Sequence, residues 1–137
     1  MIHIITNAKG FNQSFEDFTR DIQTRYTAFS DDLQVVPKFI LNRFNQIIFD
    51  DEPLSKEESL ELKKHLENKI KEQLSTRVKE PNPRTKIEFL GKIIELNYTP
   101  FGKNDQDMII DKLFRAYKIC EECLEENKPV YLSISEH

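Results

Sequence analysis

Residues 86–98 read KIEFLGKIIELNY, and the fold class depends on whether this stretch turns back at its glycine or runs through it as a helix. Gly91 and Lys92 can form a two-residue hairpin loop, because glycine at the first central position suits a type II′ turn. In that register Ile87, Phe89, Ile94, Leu96 and Tyr98 share one face, as the two-residue period of a strand requires. The same register sets Glu88 opposite Glu95, a small like-charge penalty. A helix through Gly91 is the competing reading.

Upstream of the hairpin, residues 55–78 read SKEESLELKKHLENKIKEQLSTRV, the clearest helix in the chain. Ser55 and Glu58 have the spacing of a capping box, in which each side chain satisfies an otherwise unpaired backbone N–H. Leu62, Leu66, Ile70 and Leu74 step by four along one side. That step drifts around the cylinder, so it predicts a narrow buried stripe and no coiled-coil seam. Two prolines in EPNPRT then separate this helix from the hairpin.

Downstream, a helix is expected from about Asp105 to Glu126, with Ile110, Leu113, Phe114, Tyr117 and Leu124 as its stripe. Asn127 and Pro129 end it, and PVYLSIS (129–135) reads as a final strand. At the other end, Ile2–Thr6 has the apolar content of a buried strand. Phe15, Phe18, Ile22, Tyr26 and Phe29 recur at three and four, predicting a helix that starts near Ser14 and Asp17. Residues 38–49, KFILNRFNQIIF, fit either a helix behind Pro37 or a hairpin at NRFN, and the helix is favoured. The order predicts one α+β domain over residues 1–137. A small, mainly antiparallel sheet (N-terminal strand, central hairpin, C-terminal strand) packs with three to four helices.

Composition agrees with a compact domain. The 137 residues are 38% apolar and 32% charged, and ten Phe supply bulk for a core beneath a well-solvated surface. Only three Gly leave no phosphate-cradling loop. No apolar run approaches the roughly 20 residues that span a bilayer. The N-terminus MIHIITNAKG lacks a basic region followed by a long apolar one. A soluble, cytoplasmic protein with no membrane partner is expected.

The only two cysteines, Cys120 and Cys123, lie in KICEECLEEN (118–127) near the end of the last helix. A zinc site needs four ligands, and His3, His65 and His137 are scattered. A reactive thiol wants a helix N-terminus or a nearby cation, whereas this pair meets the negative end of the dipole and four glutamates. Structural thiols are the expectation, with Cys120 in the core and Cys123 at its margin, and with no metal and no cofactor.

Those glutamates are the most informative charge in the chain. The net charge of −4 is contained within residues 104–127, which hold seven acids and three bases. Glu122, Glu125 and Glu126 gather where a helix already ends negative, an arrangement that opposes the dipole by about 0.3–1 kcal/mol each. One explanation is simple solvation. The sharper one is a cationic partner, because charge of one sign steers and orients association. Asp50, Asp51 and Glu52, in the loop before the long helix, could extend that surface.

Arg77, Lys79, Arg84 and Lys86 form a basic counterpart in the proline-broken loop. One such loop in an acidic chain, without interleaved aromatics, does not favour nucleic-acid binding. No nucleophile elbow, HExxH or EF-hand loop is present. Tyr98, Arg115 and Tyr117 are ordinary at the margins of their elements, so no catalytic residues are assigned and no enzyme is expected.

No family motif is present. In profile (short, motif-free, with acidity concentrated in one element) the chain resembles the small immunity proteins and antitoxins that neutralise bacterial toxins. The resemblance is one of composition, covers no alignable residues and assigns no residue a role. It implies a protein-binding module acting by occlusion, an immunity-type inhibitor of a basic toxin such as a nuclease domain. Glu122, Glu125, Glu126, Asp50, Asp51 and Glu52 are the candidate interface. The alternatives are a small structural or adaptor protein, including a phage or mobile-element accessory factor, and third a nucleic-acid binder or minor enzyme using the Arg77–Lys86 loop.

Overall fold

A computed structural model describes residues 2–9, 25–30, 32, 35–47, 52–77, 85–96 and 105–135. The elements in order are β1 (Ile2–Thr6), β2 (Tyr26–Phe29), α1 (Lys38–Gln46), β3 (Glu52–Pro53), α2 (Lys56–Thr76), β4 (Thr85–Phe89), β5 (Lys92–Leu96), α3 (Asp105–Glu125) and β6 (Tyr131–Ser135). The fold is α+β. Four strands form an antiparallel sheet in the order β2-β1-β6-β3. Strands β4 and β5 pair only with each other, so the hairpin is a second sheet rather than part of the first.

The N- and C-terminal strands pair at the centre, with Ile5 opposite Leu132 and Ile4 opposite Ser133. Ile4, Ile5 and Thr6 are buried in succession, as are Leu132 and Ser133, so both faces of these strands are covered. On one face Thr27 reaches the Lys112 carbonyl of α3, and His3 meets Phe44 of α1 edge to face. Helices α1 and α3 therefore lie on the same side of this sheet.

Tyr26 and Phe29 belong to β2, which corrects the helix expected to run through them; residues 10–24 of that expectation lie outside the described region. A separation of three is compatible with either element. Here Phe29 and Thr27 point inward while Tyr26 faces out, 42% exposed, the alternation of a strand. Residues 38–46 are helical: Ile40, Phe44 and Ile47 are all buried at spacings of four and three, which a hairpin would have split between faces.

Helix α2 starts as its sequence predicts. The Ser55 side chain accepts from the Glu58 N–H at 3.1 Å, and Glu58 accepts from the Ser55 N–H at 3.0 Å. Leu62, Leu66 and Ile70 are fully buried, each contributing about 2 kcal/mol by burial. They pack along α3, and Leu74 sits half-buried beside the hairpin.

The hairpin forms, with its turn one residue earlier than expected. Leu90 (φ 51°) and Gly91 (φ 76°) are its central residues, and two positive φ values make the turn type I′ rather than II′. The slip changes the cross-strand partner of each residue by two positions. Every side chain thereby keeps its face: Ile87, Phe89 and Leu96 are buried and Ile94 is half-buried. What changes is charge. Glu88 now faces Ile93, and Glu95 faces Lys86 with 4.0 Å between their charged groups. The shift replaces a like-charge pair by an opposite one. No helix among the described residues is long and apolar enough to cross a membrane.

Candidate functional site

Helix α3 ends at Glu125 in a Schellman motif. Asn127 takes the left-handed conformation (φ 56°), the Lys128 N–H donates to the Cys123 carbonyl at 2.8 Å, and the Asn127 N–H donates to the Leu124 carbonyl at 3.3 Å. Asparagine tolerates that conformation better than most residues. The chain then passes into β6, and the Leu54 N–H donates to the Val130 carbonyl at 2.8 Å. That bond ties the start of α2 to the end of α3.

On this end Glu122 is half-buried, while Glu125 and Glu126 are exposed. Glu126 pairs with Lys128 at 3.2 Å, an exposed contact of little energetic weight. Neither Glu122 nor Glu125 has an ion pair among the described residues. Both lie near Lys118, whose amine donates to Glu121 at 2.8 Å, and all three carboxylates hold the lysine pKa above its ordinary value, Glu121 most of all. Glu121 is itself fixed. The Lys118 hydrogen bond is the main cause of its lowered pKa, with Lys63 of α2 4.0 Å away and the Tyr117 hydroxyl also bonded to it. Burial, with help from Glu121 and Glu67, raises the Tyr117 pKa.

Two grooves flank this face. One, of about 290 Å³, lies between the start of β2 and α3 and includes Tyr26, Phe114, Lys118 and Glu122. The other, of about 380 Å³, lies under the hairpin tip and includes Glu88, Leu90, Lys118 and Glu121. Lys118 borders both. The outer surface of α3 is thus a charged ridge between two exposed apolar side chains, Tyr26 on one flank and Leu90, 51% exposed, on the other.

The second acidic group is only partly placed. Asp50 and Asp51 lie outside the described residues. The backbone of Glu52 pairs with Leu132, which sets β3 on the sheet edge beside the α3–β6 connection.

Two acids counted with the acidic segment are not surface charge. Asp107 is fully buried 3.5 Å from Arg77, and buried Asp111 is paired with Arg115 at 3.0 Å. Arg77 also donates to the Glu95 carbonyl at 2.6 Å, so its side chain joins the ends of α2, β5 and α3. This use removes Arg77 from any basic nucleic-acid surface. Lys86 faces Glu95, and Lys79 and Arg84 lie outside the described residues.

Both thiols are buried, Cys123 more fully than a margin position implies. Burial pushes the Cys120 thiol far above its ordinary range. The Cys123 thiol is raised to about 11, first by burial and then by Glu126 and Glu122. Both are neutral and poorly reactive. Among the described residues no group of three or more His, Cys, Asp or Glu could hold a metal ion.

Sequence reasoning misses Lys63; it names Tyr117 in the stripe of the last helix and Arg77 in the basic loop, without the contacts they make here. Lys63 looks like a solvated face of α2, and only the packing of α2 on α3 brings it over the Tyr117 ring, 5.6 Å from its centre. Comparison of the chain with protein-family models, curated proteins and solved structures gives no match.

Proposed function

We propose that this is a protein-binding module that acts by occlusion, an immunity-type inhibitor working in the cytoplasm against a toxin with a basic surface. Its docking face is the C-terminal part of α3, with Glu122, Glu125 and Glu126 as anionic contacts and Tyr26 and Leu90 as apolar flanks. One observation carries the reading: Glu122 and Glu125 stand on the outer side of α3 without an ion pair among the described residues, at the helix end where their charge is unfavourable. Exposed apolar side chains beside unpaired charge form a surface suited to an interface with a polar rim.

The test begins with co-purification of a tagged copy from its own host. A basic partner that is toxic when expressed alone is then titrated with the wild-type chain and with a Glu122→Lys, Glu125→Lys, Glu126→Lys variant. The reading expects the variant to lose most of its affinity, and the wild-type on-rate to fall with added salt. Unchanged affinity in the variant would remove the α3 face from the interface.

A further inference from the structure

The two edges of the hairpin differ. Arg77 takes up the Glu95 carbonyl at 2.6 Å, so that group points away from β4. In an antiparallel ladder, residues opposite each other share the direction of their N–H and C=O groups, and the direction alternates along the strand. Lys86 lies opposite Glu95. Its backbone groups therefore also point away from the ladder, and so do those of Glu88 two residues on. Among the described residues none of these outward groups meets a backbone partner. Arg77 caps the β5 edge, while among the described residues the β4 edge is open, five residues long and without proline. An open edge of this kind is a template for a further strand.

The sequence of β4, TKIEF, identifies what fits. Under a two-fold rotation centred on Ile87, Lys86 of one copy faces Glu88 of a second copy, and Glu88 faces the second Lys86. The parity is correct. Lys86 and Glu88 both point outward and would exchange both backbone hydrogen bonds, and the two Ile87 residues form the non-hydrogen-bonded pair on the axis. Each Lys86, already opposite its own Glu95, gains Glu88 of the other copy on its second side. A partner of any other sequence would have to bring this alternation of charge, whereas a second copy does so by symmetry.

We propose that the protein self-associates through β4, with the two hairpins forming one antiparallel sheet in the order β5-β4-β4-β5. One short strand edge buries less than the roughly 1,200 Å² at the low end of stable interfaces, so the association is weak and depends on concentration.

Sedimentation equilibrium of the full chain over a series reaching roughly 1 mM, a range in which weak binding registers, tests this. The average mass should climb from one chain towards two. Glu88→Pro removes an outward N–H and leaves the internal ladder intact, and it should hold the mass at one chain. Glu88→Lys, which faces Lys86 with a like charge, should do the same. Lys86→Glu should also be monomeric alone, and mixing it with the Glu88→Lys chain should restore a dimer of complementary strands. Should Lys86→Glu fail to fold, because it faces Glu95, the two Glu88 variants decide. A wild-type chain that stays monomeric throughout overturns the proposal, as does association undiminished in folded Glu88→Pro and Glu88→Lys.

Discussion

In the first half of α3, Asp107 and Asp111 are buried and each lies against an arginine, Arg77 from the end of α2 and Arg115 one turn along. In its last turns Glu122 and Glu125 have no ion pair among the described residues, and Glu126 has only the exposed Lys128. The acids of the two halves differ in environment. The early ones sit where an unpaired charge would be costly, so partners are built in. The late ones sit where water screens them, and they oppose the helix dipole without a structural return. Helix α2 supplies the control at its opposite end, where Glu57 and Glu58 stand in the first turn and favour the dipole.

The largest test of this contrast is Arg77→Ala. It leaves Asp107 buried beside an empty site and should cost about 3 kcal/mol, as breaking a buried pair does. Denaturant unfolding measures it. An apolar double variant, Arg77→Met with Asp107→Leu, should recover part of the loss, because the buried carboxylate is removed together with the guanidinium 3.5 Å from it. A smaller effect is expected at the start of α2: Ser55→Ala removes half of the capping box and should lower stability by about 1 kcal/mol.

The two half-buried histidines supply a third case. Burial lowers the pKa of both His3 and His65 below 6.5, opposed by the hydrogen bond each ring donates to a backbone carbonyl, of Phe29 and Val35 respectively. The unfolded chain therefore binds protons first as pH falls. The histidine contribution is fully present above pH 6.5 and declines below it, levelling off once the folded histidines protonate. Thermal melts at descending pH should show a falling Tm, with a shallower fall in a His65→Asn variant. A Tm that rises between pH 7 and 6 in the wild type and not in His65→Asn would contradict the assignment to His65.

Much of the fold was legible. The capping box, the four-residue leucine step, the terminal strands and the helix ending at Asn127 are local signals, and local chemistry settles them. The hairpin turn was misplaced by one residue because a two-residue change of partner leaves every side chain on its own face. Hydrophobic patterning is blind to that change, and only the charges of Lys86, Glu88 and Glu95 distinguish the registers. Tyr26 and Phe29 misled because three residues separate neighbours on a helix as readily as opposite faces of a strand. The site was half legible. Asp107, Asp111, Lys118 and Glu125, separated by four, seven and seven, share one side of α3, and nothing within the helix says that the first two are covered. For Asp107 that information lies in Arg77, thirty positions away in the chain.

The remaining stability change is the most informative, because its sign is opposite. Neutralising Glu122, Glu125 and Glu126 together to Gln removes charge that the end of α3 disfavours, and should raise stability by a few tenths to about 1 kcal/mol per carboxylate. The direct measurement is this one variant read twice, by denaturant unfolding and by titration against the basic partner recovered from the host. A chain that is more stable and binds at least tenfold more weakly is the predicted result. A chain that is less stable, or that binds unchanged, would contradict a role for these acids at an interface.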